Sequence, residues 1–443
     1  MAVTAADKVV SGAVDVPAFV DRQPVGAFQI RVLVVCAAVL FIDGFDTQAI
    51  GYVAPAVAQE WKLARGSLGP VFSAGLFGLM IGALIFGPMA DQIGRRRIIL
   101  ASTVVFGIGT LLTMFAPDTT WLIVLRVLTG LGLGGAMPNA VALTSEFSPH
   151  RRRATLVMTM FAGFSIGAAL GGLLAAALIP AFGWRSVFLV GGLVPLLLVP
   201  FLLKTLPESI RFLAMAGDHD NEVADLLKKI APGTSFAGNA KFVVPEPKLS
   251  GLPVAHLFAE GRGSVTILLW IVFFMSLLDL YLLSNWLPTV LNDLGVSVSA
   301  AAAIGAMLQV GGVVGTFTLG RFIDRFSFRA LSLTYLVAAV AIAAIGSASH
   351  SIVLVTATIF ASGFCIVGGQ IASNALTATF YPTAVRSTGV GWALGIGRIG
   401  SIVGPLVGGA MLARDMGAQP LFAAAAVPAL VAATAAFTLA RRA

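Results

Sequence analysis

Long apolar stretches alternate with short polar ones along most of the chain. A helix needs about 20 apolar residues to cross the hydrocarbon core of a membrane, and twelve stretches approach or exceed this length. They predict membrane-spanning helices, here called spans 1 to 12, at about residues 31–57, 69–90, 98–116, 120–146, 155–180, 184–203, 265–290, 300–323, 330–347, 351–379, 387–413 and 420–440.

The connections between the spans are short except at residues 204–264. This polar loop separates an N-terminal bundle, predicted at 30–203, from a C-terminal bundle at 265–443, and a polar tail occupies 1–29. Residues 221–230 have the pattern of one amphipathic helix, and the later part of the loop is typical of a linker. The predicted fold class is an all-α membrane protein with twelve transmembrane helices in two six-helix bundles.

Composition and charge agree with lipid as the main solvent. Hydrophobic residues make up 58% of the chain and charged residues 11%, against about 25% charged residues in a soluble domain. These values exclude an ordinary soluble enzyme, a disordered chain and a nucleic-acid partner. If the spans alternate in direction, 22 of the 28 Lys and Arg lie on the side of the termini and four on the other. The positive-inside rule therefore predicts cytoplasmic N and C termini in the cell (inner) membrane.

Residues of the first half recur 233 positions later. The matching pairs are Asp46 and Asp279, Pro55 and Pro288, Gly78 and Gly311, Gly82 and Gly315, Gly87 and Gly320, Asp91 and Asp324, Pro149 and Pro382, Arg153 and Arg386, Gly167 and Gly400, and Gly171 and Gly404. The chain is thus predicted to be two six-span units in the same orientation. Parallel repeats of this kind are the architecture of secondary transporters, which bind substrate between the halves near the midplane.

The loop after span 2 reads Gly87-Pro-Met-Ala-Asp91-Gln-Ile-Gly94-Arg95-Arg-Arg. It resembles the signature of the major facilitator superfamily, although Gln92 stands where that signature usually has Arg. The second-half copy, Gly320-Arg-Phe-Ile-Asp324-Arg325, is weaker, with Ser327 in place of Gly. The resemblance covers about residues 30–440.

Further elements are similar to the aromatic acid:proton symporters, which include 4-hydroxybenzoate and protocatechuate carriers. The most specific is Asp43-Gly-Phe-Asp46-Thr in span 1, and Gly397-Arg398-Ile-Gly400 in span 11 supports it. The resemblance implies a proton-coupled secondary transporter that imports an aromatic carboxylate (4-hydroxybenzoate, protocatechuate, benzoate or similar) by alternating access. It implies no enzymatic activity and no cofactor, with the proton gradient as the driving force, and we expect a monomer.

Two alternatives remain open at this point. The same fold carries other solutes, such as a sugar, an aliphatic organic acid or an exported drug. An intramembrane enzyme would need a nucleophile or a metal site on facing helices. The sequence contains no His/Cys cluster with metal-ligand spacing, so no metal site is expected.

Six ionisable residues fall within the predicted spans, namely Asp43, Asp46, Arg126, Glu146, Asp279 and Arg398. Each costs about 2.5–3.5 kcal/mol at the bilayer centre, so they must pair, face a wet cavity or take up protons. Asp43 and Asp46 share one helix face, where mutual repulsion and desolvation favour proton uptake. We assign proton coupling to these two carboxylates and to Glu146; a structural ion pair is the alternative.

Arg398 is the predicted anchor for the substrate, because a guanidinium binds a carboxylate through two parallel hydrogen bonds. A salt bridge to Asp279 or Asp46 is the alternative, and substrate could displace such a partner. For Arg126, a structural role is the main interpretation, and the family resemblance implies coupling. The predicted substrate site comprises Arg398, Asp279 and Arg126 together with Gln48, Asn139, Tyr281, Asn285, Gln309, Gln370, Asn374 and Trp392. Interhelical hydrogen bonding is the alternative for each polar residue.

A gate is predicted at the cytoplasmic ends of the spans. The resemblance implies that Asp91 engages a positive partner in one state and releases it in the other. The predicted gate residues are Gly87, Asp91, Gly94, Arg95, Arg153, Asp324, Arg325 and Arg386. The alternative is that these basic residues serve membrane topology alone.

Overall fold

The computed structural model describes residues 8–10, 12–237, 240–245, 254–348, 351–382 and 385–442, with the backbone alone at residues 8–10, 321, 324 and 387. Twelve helices in these ranges are long and apolar enough to cross a membrane, which confirms the predicted fold class. Spans 1 to 12 are Ala27–Trp61, Gly69–Ile93, Arg95–Thr113, Thr119–Glu146, His150–Phe182, Arg185–Thr205, Gly263–Asp293, Val298–Gly320, Arg325–Ser347, Ile352–Phe380, Thr388–Leu412 and Ala418–Arg442.

Several helices extend beyond the apolar stretches that predict them. Span 1 begins at Ala27 and ends at Trp61, and span 5 begins at His150. Helical hydrogen bonding continues through polar end residues, and hydropathy does not detect this continuation. An even number of spans places both termini on one side, here called the terminal side; the other is called the opposite side.

The internal repeat is visible in the packing of the helices. A methyl group added at Gly78 would lie 2.2 Å from the carbonyl oxygen of Val127, and one added at Gly311 would lie 2.1 Å from that of Phe360. Both residues of the second pair lie 233 positions after those of the first. Spans 2 and 4 therefore pack as closely as spans 8 and 10 do, in the same register. Only glycine permits this approach of two backbones.

The two bundles meet on the opposite side, around the pseudo-twofold axis. Gln59 Nε2 at the end of span 1 donates to Asn292 Oδ1 at the end of span 7, at 2.9 Å. These two residues are themselves 233 positions apart, so the hydrogen bond lies on the axis that relates the bundles. Arg65 Nε lies 3.6 Å from Asp293 Oδ2 beside it.

Two symmetry-related contacts flank this axis. Ser299 Oγ in span 8 donates to the carbonyl oxygen of Ala176 in span 5 at 2.5 Å. At the equivalent positions, a methyl group on Gly66 would lie 2.1 Å from the carbonyl oxygen of Gly409.

On the terminal side, methyl groups added at Gly87 in span 2 or at residues 391 and 395 in span 11 would meet no atom within 4 Å. The bundles are thus tightly joined on the opposite side, with open space beside these helices on the terminal side.

The tail and the central loop form a small cap on the terminal side. Strand β1 (Lys8–Val10) pairs in parallel with β3 (Thr234–Phe236), and β2 (Ala13–Asp15) pairs in parallel with β4 (Lys241–Val243). The predicted amphipathic helix is confirmed at Asp220–Ile230, which buries its apolar face. The other described elements of the tail and the central loop are short helices at Val16–Arg22 and Ile210–Ala216 and a 3₁₀ helix at Ala255–Leu257. The strand pairing was not predicted, because it joins segments more than 200 residues apart.

The turns that follow spans 2 and 8 show how the repeat has diverged. Gly94 has a φ of 100° at the first turn. Its equivalent, Ser327, has φ 50° and ψ −131° and forms the kink near which span 8 gives way to span 9. A side chain in this region of backbone space costs about 1–3 kcal/mol. The second turn therefore keeps a positive φ, which glycine adopts without strain, although the residue there is serine.

We expect Ser327→Gly to raise the thermal unfolding temperature of the detergent-solubilised protein, because glycine adopts a positive φ without strain. Gly94→Ala should lower it, since a methyl group there would also lie 2.4 Å from Glu208 Oε2. Differential scanning fluorimetry measures both variants. An unchanged or lower unfolding temperature for Ser327→Gly would contradict the strain at this turn.

Candidate transport site between the two bundles

A buried ion pair lies in the middle of the N-terminal bundle. Arg126 Nη1 of span 4 lies 3.4 Å from Asp46 Oδ2 of span 1, and both side chains are almost fully buried. Thr110 Oγ1 donates to the other carboxylate oxygen at 2.5 Å. Arg126 Nη2 lies within hydrogen-bond distance of the hydroxyls of Thr113 (3.2 Å) and Thr129 (3.3 Å). Asp46 is therefore compensated inside its own bundle, and the alternative in which it pairs with Arg398 is not what the structure contains.

Asp43, one turn before Asp46, has a different environment. Its Oδ1 accepts a hydrogen bond from Thr47 Oγ1 at 3.0 Å. Its Oδ2 accepts none from the described residues, although the side chain is 0% exposed. No cationic group in the described part of the chain lies within 4.0 Å of this carboxyl. Asp43 is therefore buried without a direct counter-ion, which an ionised carboxylate tolerates poorly.

Arg398 of span 11 extends across the interface between the bundles. Its Nη1 donates to Tyr281 OH of span 7 at 3.4 Å, and its Nη2 lies 3.4 Å from Met137 Sδ of span 4 in the other bundle. Among the side chains that the structure describes, no carboxylate lies within 4.0 Å of Arg398. Its charge does act electrostatically on Asp43 and on Tyr281. Neither of its two predicted internal partners, Asp279 and Asp46, is paired with it.

The other predicted pocket residues differ in whether their side-chain amide atoms have hydrogen-bond partners within the protein. Asn139 and Asn285 each donate to a carbonyl of their own helix, at 2.8 and 2.7 Å, and Gln309 donates to Ser284 Oγ at 3.4 Å. Among described groups, no hydrogen-bond partner is found for either amide atom of Gln48 and Gln370 or for Asn374 Oδ1. A cavity of about 20 Å³ is lined by Asp46, Thr47, Arg126, Thr129 and Asn285, among others. It connects the ion pair of the first bundle to span 7 of the second.

Two tryptophans, the predicted site residue Trp392 and Trp286, make aromatic contacts with other side chains. Trp392 is 44% exposed and stacks on Trp270, with ring centroids 5.8 Å apart. Trp286 is buried, donates to the carbonyl of Pro405 at 2.8 Å and packs edge-on against Phe72. Trp286 therefore joins spans 2, 7 and 11. Tyr281 is the aromatic side chain that contacts Arg398.

Glu146 lies at the terminal end of span 4, in a network of the N-terminal bundle. Arg95 Nη1 lies 2.5 Å from Glu146 Oε1 and Arg95 Nη2 lies 3.5 Å from Asp91 Oδ1. Ser209 Oγ donates to Glu146 Oε2 at 2.6 Å. Glu146 is 20 residues beyond Arg126 in the same helix, or about 30 Å along its axis at 1.5 Å per residue. The structure thus groups Glu146 with the predicted gate rather than with Asp43 and Asp46.

The remaining gate residues have separate environments. Arg153 lies 3.5 Å from Asp21 in the tail and contacts the Ser148 carbonyl, and Arg386 Nε donates to the Tyr381 carbonyl at 3.4 Å. The guanidinium of Arg325 lies over the ring of its neighbour Phe326, and the side chain of Asp324 lies outside the described part. The prediction therefore placed the first-half gate residues together on one face but did not include the tail.

Sequence reasoning missed several residues that hold these groups. Glu208 Oε1 accepts from the backbone N–H of Arg96 at 3.0 Å, so it caps the first turn of span 3 from 112 residues away. Ser209 binds Glu146, as described above. The Pro-Glu-Ser sequence after span 6 was the available signal for both residues. The threonines around Arg126 gave none, because hydroxyls in apolar helices usually bond to their own backbone.

A profile of the Major Facilitator Superfamily matches residues 36–254 and 269–443, and the chain belongs to this superfamily. A gallate transporter of Pseudomonas putida is 42% identical over 428 residues, which cover 96% of this chain and 95% of the relative. The 4-hydroxybenzoate transporter PcaK of the same organism is 42% identical over 426 residues, with coverage of 96% and 95%. The 3-(3-hydroxy-phenyl)propionate transporter of Escherichia coli K12 is 39% identical over 408 residues, with coverage of 92% and 93%.

Solved structures agree at the level of the fold. A bacterial homolog of the human lysosomal transporter Spinster, in an inward-facing and unoccupied conformation, has a TM-score of 0.71 at 19% identity and covers 94% of this chain and 98% of its own. The xylose transporter XylE from E. coli, in a partially occluded inward open conformation, has a TM-score of 0.69 at 16% identity, with coverage of 94% and 98%. The family prediction is confirmed, and the chain is an integral membrane transporter rather than an enzyme.

The Arg126–Asp46 pair generates a stability prediction. Arg126→Leu leaves a buried carboxylate without its cation, and we expect a destabilisation of about 3–5 kcal/mol. The double variant Asp46→Leu/Arg126→Leu removes both charges and should recover much of that loss. Thermal unfolding in detergent of wild type, both single variants and the double variant measures the coupling. A double variant whose loss equals the sum of the single losses would show that the two charges do not depend on each other.

Proposed function

We propose that this transporter is a proton-coupled symporter that imports a small aromatic carboxylate by alternating access. The observation that carries the proposal is a buried carboxyl, that of Asp43, and a half-buried guanidinium, that of Arg398, at the bundle interface. Arg398 has no carboxylate within salt-bridge distance, and Asp43 has no cation within that distance, among the described residues. A guanidinium with unused donors suits a carboxylate ligand, and a buried carboxyl without a counter-ion suits a proton.

The substrate class is supported by the relatives and by the chemistry of the site. The relatives are named as transporters of gallate, 4-hydroxybenzoate, benzoate and 3-(3-hydroxy-phenyl)propionate, all aromatic acids. Arg398 would hold the carboxylate, and Tyr281 and the unpartnered amide of Gln48 are candidates for a ring hydroxyl. We propose this site in place of the wider set of polar residues, because Asn139 and Asn285 already bond to their own helices.

Asp43 is the proposed proton-coupling residue, and Asp46 keeps its neighbour Arg126 in place. With a proton on Asp43, the charge of Arg398 is free to attract an anionic substrate. Without that proton, the two residues attract each other across the interface, and the substrate loses its anchor. Proton and substrate would thus tighten each other's binding, as linkage requires of a symporter.

The direction of opening follows if both termini are cytoplasmic, as the distribution of Lys and Arg supports. The closed opposite side is then extracellular, and the structure corresponds to an inward-facing state. The Asp91–Arg95–Glu146 network would close the cytoplasmic side in the other state, when the ends of spans 2 and 11 approach each other. We propose that the protein acts as a monomer in the cell membrane, without a cofactor, and is driven by the proton gradient.

Replacing Asp43 with Asn should abolish uptake of labelled 4-hydroxybenzoate against its gradient into proteoliposomes with an imposed pH gradient. Exchange of labelled for unlabelled substrate should persist, because exchange needs no net proton movement. Asp225→Asn is the matched control, since Asp225 is exposed and pairs with Lys228 on the central-loop helix. Gradient-driven accumulation by Asp43→Asn at the wild-type level would refute the role of Asp43.

Arg398→Lys keeps the positive charge and removes the planar fork. We expect at least a tenfold weaker affinity for 4-hydroxybenzoate, or about 1.4 kcal/mol, with no comparable loss for the neutral analogue 4-hydroxybenzamide. Isothermal titration of the purified variants measures this difference. Arg185→Lys, which alters an exposed ion pair with Glu60, should bind as wild type does.

Equal carboxylate affinity in Arg398→Lys and wild type would remove Arg398 from the site. A thermal-shift screen of aromatic acids, sugars and amines with the wild-type protein tests the substrate class itself. Stabilisation by a sugar or an amine, and not by any aromatic acid, would favour a different solute for the same fold.

A further inference from the structure

Asp279, in the middle of span 7, is a buried acid that the proposed mechanism does not use. Its side chain is 0% exposed, and neither carboxyl oxygen accepts a hydrogen bond from any group in the described part of the chain. No Lys, Arg or His in that part lies within 4.0 Å of it. An ionised carboxylate in this environment would be costly, since neither a counter-ion nor a hydrogen-bond donor compensates it.

The internal repeat shows that Asp279 lacks the cation that accompanies its first-half equivalent. Asp279 is the second-half equivalent of Asp46, whose charge is compensated by Arg126. The position equivalent to Arg126 is Ile359, a fully buried apolar residue. Because spans 8 and 10 pack in the same register as spans 2 and 4 do, this equivalence holds at the level of individual residues. The second bundle thus keeps the acid of the first and lacks its cation.

A hydroxyl on the same face of span 7 as Asp279 belongs to a cluster of hydroxyls that hydrogen-bond to one another. Tyr335 OH of span 9 donates to Ser276 Oγ of span 7 at 2.9 Å and lies 3.1 Å from Ser373 Oγ of span 10. Ser276 is one turn before Asp279 on the same face and occupies the position equivalent to Asp43. Asp279 acts electrostatically on Tyr335. None of these three hydroxyls hydrogen-bonds to Asp279.

None of the other charged groups near span 7 that the structure describes lies within salt-bridge distance of Asp279. The titratable or charged side chains in the middle of the helices packed against it are Tyr335 of span 9, Cys365 of span 10, Arg398 of span 11, and Asp43, Asp46 and Tyr52 of span 1. Arg398 and Asp43 act on Tyr281, and Asp46 pairs with Arg126.

Span 7 belongs to the surface that has to open if the bundles move apart. A methyl group added at Gly51 of span 1 would lie 2.7 Å from the carbonyl oxygen of Ser284, so the two helices are in direct contact a little more than one turn beyond Asp279. In the closed arrangement this contact seals the acid from the opposite side. Separation of spans 1 and 7 would bring water toward Asp279 and allow a proton to exchange.

We propose that Asp279 is a second proton-binding site, located in the C-terminal bundle and separate from Asp43 and from the substrate. The carboxylate takes up one proton from the side that is open to water, becomes a neutral carboxylic acid when the bundles close over it, and releases the proton after they reopen. No other bond forms or breaks. The inference rests on the proposed proton coupling and adds one proton per substrate to it.

The test measures the number of protons moved per substrate in proteoliposomes, from the substrate gradient that balances a series of imposed pH gradients. We expect Asp279→Asn to move one fewer proton per substrate than wild type, while Asp225→Asn matches wild type. Asp279→Glu keeps an ionisable group and should retain the wild-type ratio, which separates a proton site from a packing position. A wild-type ratio in Asp279→Asn would overturn the proposal, as would loss of transport when choline replaces sodium, because that loss would indicate a sodium site.

Infrared difference spectroscopy of the purified protein tests the site even if transport is not driven by protons. A carboxylic acid C=O band present in wild type at neutral pH should disappear in Asp279→Asn and persist in Asp225→Asn. The same band in Asp279→Asn would exclude Asp279 as the protonated group. A wild-type protein that shows this band without any response to a pH gradient would refute the proposed coupling and leave the protonation of Asp279 intact.

Discussion

The high free energy of a charge inside an apolar bundle constrains most of this structure. Asp46 is stable in span 1 because Arg126 and Thr110 contact it there, and Arg126 is stable because three side chains of its own bundle take its donors. Asp43, Arg398 and Asp279 lack such direct compensation among the described groups. The first bundle thus contains two acids one helical turn apart, of which Asp46 has a direct counter-ion and Asp43 has none among the described groups. The difference between them lies in the neighbours rather than in the residue type.

The repeat of 233 residues explains why the two bundles are alike in packing and unlike in chemistry. Glycines that allow backbones to touch recur at equivalent positions, such as Gly78 and Gly311, because close helix packing is needed in both halves. The charged residues in the middle of the spans recur only in part. Asp46 has a matching acid in Asp279, but Arg126 corresponds to Ile359, and Arg398 corresponds to Ser165. Packing is therefore symmetric, whereas the intramembrane charges differ between the bundles: Asp43 and the Asp46–Arg126 pair lie in the first, and Arg398 and Asp279 lie in the second.

The fold was largely predictable from the sequence, and the site was predictable only in part. Hydropathy located all twelve spans, because the bilayer sets a minimum length for an apolar helix. The cost of buried charge identified the six intramembrane ionisable residues as worth attention. The contacts of these residues were harder to predict. The sequence suggested Asp46 or Asp279 as the partner of Arg398, whereas in the structure Arg398 contacts Tyr281 and Met137. Depth along a helix can be counted, but the direction in which a side chain points across a bundle depends on how several helices rotate together.

The sequence by itself determined the number of spans, the two-bundle repeat, the superfamily and the short set of residues that carry charge into the membrane. These properties depend on local hydropathy and on a constant spacing, both of which are written along the chain. Only the tertiary structure decided that Arg126 compensates Asp46, that Glu146 belongs to the network at the terminal side, and that the tail pairs with the central loop. Each of these contacts joins residues far apart in sequence, and its geometry follows from the packing of whole helices.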